Sequence, residues 1–280
     1  MKEIMFEDIV SLTAKLCIEA NCFLNEDIYN AVKNAEKSEK SPVGREILGE
    51  LIENAEIAKK NTMPICQDTG IAVIFVELGQ DVHISGGLLE DAINEGVRRG
   101  YTEGYLRKSV VSDPLIRKNT GDNTPAVIHY DINEGDGFKI IVAPKGIGSE
   151  NMSRIFMLKP SDGIEGIKKA VIETVEEAGP NPCPPVIVGV GIGGNFEKCA
   201  YLAKKALLRP VGEKSTLPHI SALEDELLTL INKTGIGPQG LGGTTTALGV
   251  SIETYPTHIG GMPVAVNIGC HVTRHAEGRL

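Results

Sequence analysis

Long apolar runs are missing from this 280-residue chain. The two longest, Ile71 to Val76 and Val186 to Val190, fall far short of the roughly 20 residues a bilayer-spanning helix needs. A secretory leader is missing too, because Met1 to Asp8 carries acidic residues and no apolar stretch, so the protein is expected in the cytoplasm. Positive charge is in deficit: 28 Lys and Arg stand against 37 Asp and Glu, a net charge of −9. That balance argues against nucleic acid or a membrane surface as partner, and a small anionic substrate would need locally concentrated basic groups. Internal repeats, low-complexity tracts and linkers are absent as well. With 41% hydrophobic and 23% charged residues, the chain can bury a core without disulfides, and it reads as one unit over residues 1–280.

Cysteine is present, but no C-x-x-C pair occurs among the six. This excludes the local ligand runs of electron-transfer iron-sulfur proteins and of structural zinc sites, and in a reducing compartment disulfides are not expected. Cys17 falls in a helical pattern with Ile9, Leu12, Leu16 and Ala20, Cys22 follows it, and Cys199 lies in another with Leu202 and Ala206; all three suit small core positions. The other three sit in glycine- and proline-rich settings: Met63-Pro64-Ile65-Cys66-Gln67-Asp68-Thr69-Gly70, Asn181-Pro182-Cys183-Pro184-Pro185 and Asn267-Ile268-Gly269-Cys270-His271. They are 117 and 87 residues apart, so only the tertiary fold can bring them together. Three such thiols can hold a metal cluster by three corners and leave the fourth open, and the proline after Cys183 resembles the Cys-Pro ending of cluster motifs.

Residues 1–60 show apolar recurrence at spacings of three and four, as in Ile28, Val32 and Ala35, then Ile47, Leu48, Leu51, Ile52 and Ala55, and predict a helical layer in which Ser41-Pro42 starts a helix. From Gly70 the texture turns to strand-like runs over 71–76, 126–130 and 138–143. The glycine- and aspartate-rich 131–137 suits a hairpin loop between the last two. Helices are expected over 88–99, 163–178, 197–208 and 220–231, and a strand over 186–190. The glycine-dense 235–261 reads as loops around a ligand. The fold class is therefore α+β, a helical N-terminal layer on a mixed β-sheet core with surrounding helices.

Gly189-Val190-Gly191-Ile192-Gly193-Gly194 matches the G-x-G-x-x-G dinucleotide pattern, with Glu213 about twenty residues on, and offers a nucleotide-binding alternative. Against it, Glu213 stands in the loop-like Pro210-Val211-Gly212-Glu213-Lys214 rather than at the tip of a next strand.

Further segments follow in order: Leu106-Arg107-Lys108-Ser109, Asn119-Thr120-Gly121-Asp122-Asn123-Thr124-Pro125-Ala126 and Lys145-Gly146-Ile147-Gly148-Ser149-Glu150-Asn151. Together with the three cysteine segments they make the chain, from about residue 5 to its end, resemble the α subunit or N-terminal domain of class I iron-sulfur fumarate hydratases and the related L-tartrate dehydratases. The resemblance implies a 4Fe-4S cluster held by Cys66, Cys183 and Cys270, its open iron acting as a Lewis acid. It implies reversible hydration of fumarate to (S)-malate, with L-tartrate dehydration as the alternative; apart from the resemblance, a non-catalytic electron-transfer subunit is a further reading. Gln67, Asp68, Arg107 and Gly148 would contact the dicarboxylate, with Asp68 and His258 in catalytic roles and His258 beside the cluster. His271, Arg274 and His275 are candidates for groups behind the ligands. Ile147 stands where related sequences often carry a glycine. A separate β subunit is implied to carry the rest of the active site, in a higher oligomer of αβ units.

Overall fold

The computed structural model describes residues 2–280. In chain order the elements are β1 (Lys2–Met5), α1 (Phe6–Cys22), α2 (Glu26–Ser38), α3 (Pro42–Asn61), β2 (Ile71–Gly79), β3 (Val82–Ser85), α4 (Leu89–Glu103), β4 (Val127–Asn133), β5 (Phe138–Lys145), α5 (Ile147–Glu150), β6 (Arg154–Leu158), α6 (Gly163–Ala178), β7 (Val186–Gly194), α7 (Phe196–Ala206), α8 (Pro218–Lys233), β8 (Ala247–Thr257), β9 (Met262–Gly269) and β10 (Ala276–Arg279). The class is α+β. Two compact units divide the chain, one made of residues 1–24, 55–147 and 274–280, the other of 25–54 and 148–273. Neither is one continuous stretch, so no linker marks their boundary in the sequence.

The first unit is built on a four-stranded sheet in the order β10-β5-β2-β4. Its middle strand β2 buries Ala72 through Val76 without interruption, as a strand covered on both faces must. Ile74 and Val76 join Ile140 and Val142 of β5 in a core with Ile9, Val10 and Leu16 of α1 and Ile93, Val97 and Tyr101 of α4. The expected hairpin of β4 and β5 is not formed, because β2 lies between them, parallel to β4 and antiparallel to β5. The glycine-rich 131–137 segment crosses the end of β2 instead, where Gly79 N–H donates to Gly137 O (2.7 Å) and Asp81 N–H to Gly135 O (3.0 Å).

Helices α1 and α4 meet through Gly96 and Gly100. A Cβ on Gly96 would stand 2.5 Å from Thr13 Cβ, and one on Gly100 2.7 Å from Ala14 O. Gly100→Ala would stabilise an open helix by about 1 kcal/mol; here overpacking is expected to win and cost about 1–3 kcal/mol. Urea unfolding should show a lower midpoint with an unchanged slope, and an unchanged or raised midpoint would mean the two helices part freely.

The second unit carries a sheet in the order β6-β9-β7-β8, with β8 parallel to β7, and β9 antiparallel to both β7 and β6. Strand period explains its two faces. Val186, Val188 and Val190 face a core with Ile167, Val171 and Val175 of α6 and Ile220, Leu223 and Leu227 of α8. The alternate positions, Gly189 and Gly191, face α7, where a Cβ would lie 2.2 Å from Ala203 O and 2.0 Å from Cys199 O. The residues of the apparent nucleotide motif are thus strand positions that let a helix backbone approach. Helix α8, not a strand, follows α7, so the strand that the nucleotide-binding alternative requires next is not there. The expectation of loops over 235–261 also needs correcting. Strands β8 and β9 run through its second half and beyond, burying Ala247, Val250, Ile252, Val264, Val266 and Ile268, most of them at every second position as strand period requires.

The loop ahead of β8 is anchored by Glu39, only 1% exposed. Its carboxylate accepts from Ser41 N (2.9 Å), Thr244 N (2.8 Å), Thr244 Oγ1 (3.0 Å) and Thr245 N (2.8 Å). Burial alone would raise its pKa, but the hydrogen bonds from Ser41, Thr244 and Thr245 outweigh it and hold the value at about 2.

Candidate active site

In the first unit, α3 ends at Asn61 and the chain enters the Cys66 loop. Ile65 anchors it by burying its side chain and donating its N–H to Asn21 O (3.0 Å). The half-buried Cys66 Sγ accepts the Asp68 N–H (3.4 Å) and contacts Gln67 Oε1 at 3.1 Å. Asp68 is aimed by two backbone donors, Gly70 N to Oδ1 (3.0 Å) and Ile147 N to Oδ2 (2.9 Å). Its own carbonyl accepts from Arg274 Nη2 (2.7 Å). Gly70 closes the turn at φ +72°, where a Cβ would fall 2.6 Å from the Lys145 carbonyl; only glycine suits both conditions.

Arg107 lies exposed after α4, and its loop is tied to the Cys66 loop by buried polar groups. Thr69 Oγ1 donates to Arg107 O (3.1 Å), and the buried Tyr101 hydroxyl donates to Thr69 O (2.8 Å). Burial pushes the Tyr101 pKa up, keeping it a neutral donor. Asn123, fully buried, donates to Gly70 O (3.2 Å) and accepts from Ser109 N (2.7 Å). Ser109 Oγ is itself buried without a hydrogen-bond partner. The loop that carries Arg107 is thereby tied to the loop that carries Gln67 and Asp68. Asn123 was visible only as part of a motif, and nothing in the sequence pointed to Tyr101.

In the second unit, Cys183 precedes β7 and Cys270 follows β9. Because those strands are antiparallel, the two cysteines stand at the same end of the sheet. His271 joins them, its ring Nδ1 lying 2.9 Å from Cys183 O. Cys183 has φ +55° and is exposed. Gly148 belongs to this unit, and a Cβ there would meet only Asn181 O at 3.6 Å, so packing does not demand a glycine.

His258 is not beside Cys270. It follows β8, which runs parallel to β7, so it lies at the opposite end of the sheet, a strand of nine residues away, or about 26 Å. The twelve-residue spacing to Cys270 is consumed by the length of β9. His258 is exposed, and its Nδ1 accepts Gly260 N–H (3.0 Å).

Among the described residues the six cysteines form no disulfide, and they fall in two classes. Cys17, Cys22 and Cys199 are buried, and burial pushes their thiols up, that of Cys17 to about 12. Cys66, Cys183 and Cys270 alone keep contact with solvent. Since the thiolate is the metal ligand, only these three thiols are accessible for such a role. Among the described residues, neither unit alone gathers three His, Cys, Asp or Glu side chains into a metal site, and no helix is long and apolar enough to cross a membrane.

The sequence matches the fumarate hydratase (Fumerase) family over residues 10–279. It is 44% identical over 278 residues, 97% of each chain, to a Methanocaldococcus jannaschii protein provisionally named L(+)-tartrate dehydratase subunit alpha. To the L(+)-tartrate dehydratase subunit alpha of Escherichia coli (strain K12) it is 35% identical over 258 residues, 91% of this chain and 84% of that protein. The chain therefore belongs to the fumarate hydratase family and is a hydro-lyase of the α-subunit type.

Proposed function

We propose that this hydro-lyase dehydrates L(+)-tartrate in the cytoplasm as the α subunit of an αβ enzyme, with a 4Fe-4S cluster on Cys66, Cys183 and Cys270. What supports the substrate is the name shared by relatives that match 91–97% of the chain; fumarate, preferred on sequence grounds alone, becomes the second choice. The division of the thiols into three buried and three accessible supports the cluster.

In the dehydration, a proton leaves the carbon beside one carboxylate and hydroxide leaves the neighbouring carbon, giving water and an enol that becomes a keto acid. When bound, the cluster supplies a Lewis-acidic iron for the departing hydroxyl and a carboxylate. The Arg107 guanidinium pairs with a carboxylate through its planar fork. Asp68, aimed by Gly70 and Ile147, has lone pairs left over to take or return a proton at its Oδ atoms. Gln67 hydrogen-bonds a substrate hydroxyl, and the backbone at Gly148 lets substrate approach. Within one chain His258 has no part in this step, being at the far end of its sheet. A β subunit supplies the remaining groups, in a higher oligomer of αβ units.

Purified chain with its β subunit, loaded anaerobically, should turn over L(+)-tartrate with a higher kcat/KM than (S)-malate or fumarate. The reverse order would return the assignment to fumarate hydration, and full activity without a β subunit would remove the αβ requirement. Arg107→Lys should raise KM about tenfold or more, because a point charge replaces a bidentate fork. Gly148→Ala should leave thermal stability unchanged yet lower kcat/KM; equal activity would place substrate elsewhere.

A further inference from the structure

The five residues from Cys270 to Arg274 contact the loops of both other cysteines. On the Cys183 side, His271 donates its backbone N–H and its ring Nδ1–H to Cys183 O, at 3.4 and 2.9 Å. A carbonyl only accepts, so Nδ1 carries the proton. Gln239 adds its N–H and Nε2 to Pro184 O, at 2.8 and 2.9 Å. The left-handed φ of +55° at Cys183 is one that side-chain-bearing residues hold only when their surroundings impose it.

On the Cys66 side, Arg274 is 4% exposed. Its Nη2 donates to Asp68 O (2.7 Å) and its Nε to Asn21 Oδ1 (3.2 Å). Asn21 accepts Ile65 N–H (3.0 Å) and is itself fixed to α1 through Cys17 O (2.9 Å). A buried guanidinium is costly unless it is hydrogen-bonded, and here its fork grips the far side of the cysteine loop while Ile65 and Asn21 hold the near side.

We propose that His271 and Arg274 are positioning residues, His271 for the Cys183 loop within the second unit and Arg274 for the Cys66 loop within the first. The catalytic meaning of these loops rests on the cluster assignment above; their immobilisation does not.

The test is iodoacetamide labelling of the full chain after chelation of any iron, with the rate at each cysteine read by peptide mass spectrometry and the fold checked by circular dichroism. Arg274→Gln should speed Cys66 alkylation about tenfold and leave Cys183 unchanged. His271→Leu should do the converse. Arg274→Lys, which keeps the charge and one donor, should recover most of the Cys66 protection, and it carries the comparison if Arg274→Gln does not fold. A variant that leaves its own loop's rate unchanged, or that speeds all six cysteines together, overturns the assignment. Because iron is absent throughout, failure here is distinguishable from failure of the cluster proposal, which is read from metal loading.

Discussion

Replacing Cys66, Cys183 or Cys270 with alanine is expected to abolish the broad visible absorbance that the chain gains on anaerobic incubation with iron and sulfide. Dehydration should fall about a thousandfold, the loss that follows when several kcal/mol of Lewis-acid stabilisation disappear. The variants should still fold, because none of the three thiols belongs to a buried core. Cys17→Ala and Cys199→Ala provide the contrast: both remove fully buried sulfur and should lower stability while keeping the chromophore. Absorbance that survives replacement of all three accessible cysteines would sink the cluster assignment, and absorbance lost in Cys17→Ala would show that burial is a poor guide to ligation here.

Glu39→Gln is expected to cost about 3 kcal/mol near neutral pH, the equivalent of lowering a carboxyl from its ordinary 4.5 to about 2. The amide keeps the shape but turns an NH₂ toward the backbone donors of Thr244 and Thr245, leaving buried N–H groups unmatched. Because the folded pKa lies below the unfolded one, ionisation favours the fold. The contribution is therefore complete above about pH 4.5 and is lost as pH falls toward about 2. Urea midpoints of the two proteins should differ widely at pH 7, by less than half as much at pH 3, and converge only toward about pH 2. A gap that stays constant between those pH values would mean that packing, not charge, anchors the loop.

The elements that were legible in the sequence are those whose residues carry one strong local pattern. Helix α6 was expected over 163–178 and is found at Gly163–Ala178, and Pro42 starts α3 as its Ser-Pro signal indicated. Strand β7 was recognised but cut short, because Gly191, Gly193 and Gly194 look like a turn until α7 is seen lying against Gly191 and Gly194, and Tyr255 of β8 against Gly193. The β4–β5 hairpin failed for a different reason: loop composition reports that a chain reverses, not which strand occupies the gap. Of the proposed site, the three cysteines and the Asp68 and Arg107 segments stood out in the sequence by their unusual neighbours. Tyr101 and Gln239 were not, since a core tyrosine and a loop glutamine show their partners only in three dimensions. The misplacement of His258 shows the limit of carrying a residue over by resemblance, because the eight residues of β9 separate it from Cys270.

The discontinuous make-up of the units has a consequence for how the chain is made. Residues 274–280 belong to the first unit, yet all of 148–273 is synthesised before them. As the polypeptide emerges from its N-terminal side, the second unit can finish while the first still lacks β10, the strand that covers the outer edge of β5. Until then β5 presents an open edge with Ile140 and Val142 in it, a surface suited to pairing with another nascent chain. A chain stalled or clipped ahead of Arg274 would therefore be sound in one unit and adhesive in the other, and it would lack the guanidinium that holds the Cys66 loop.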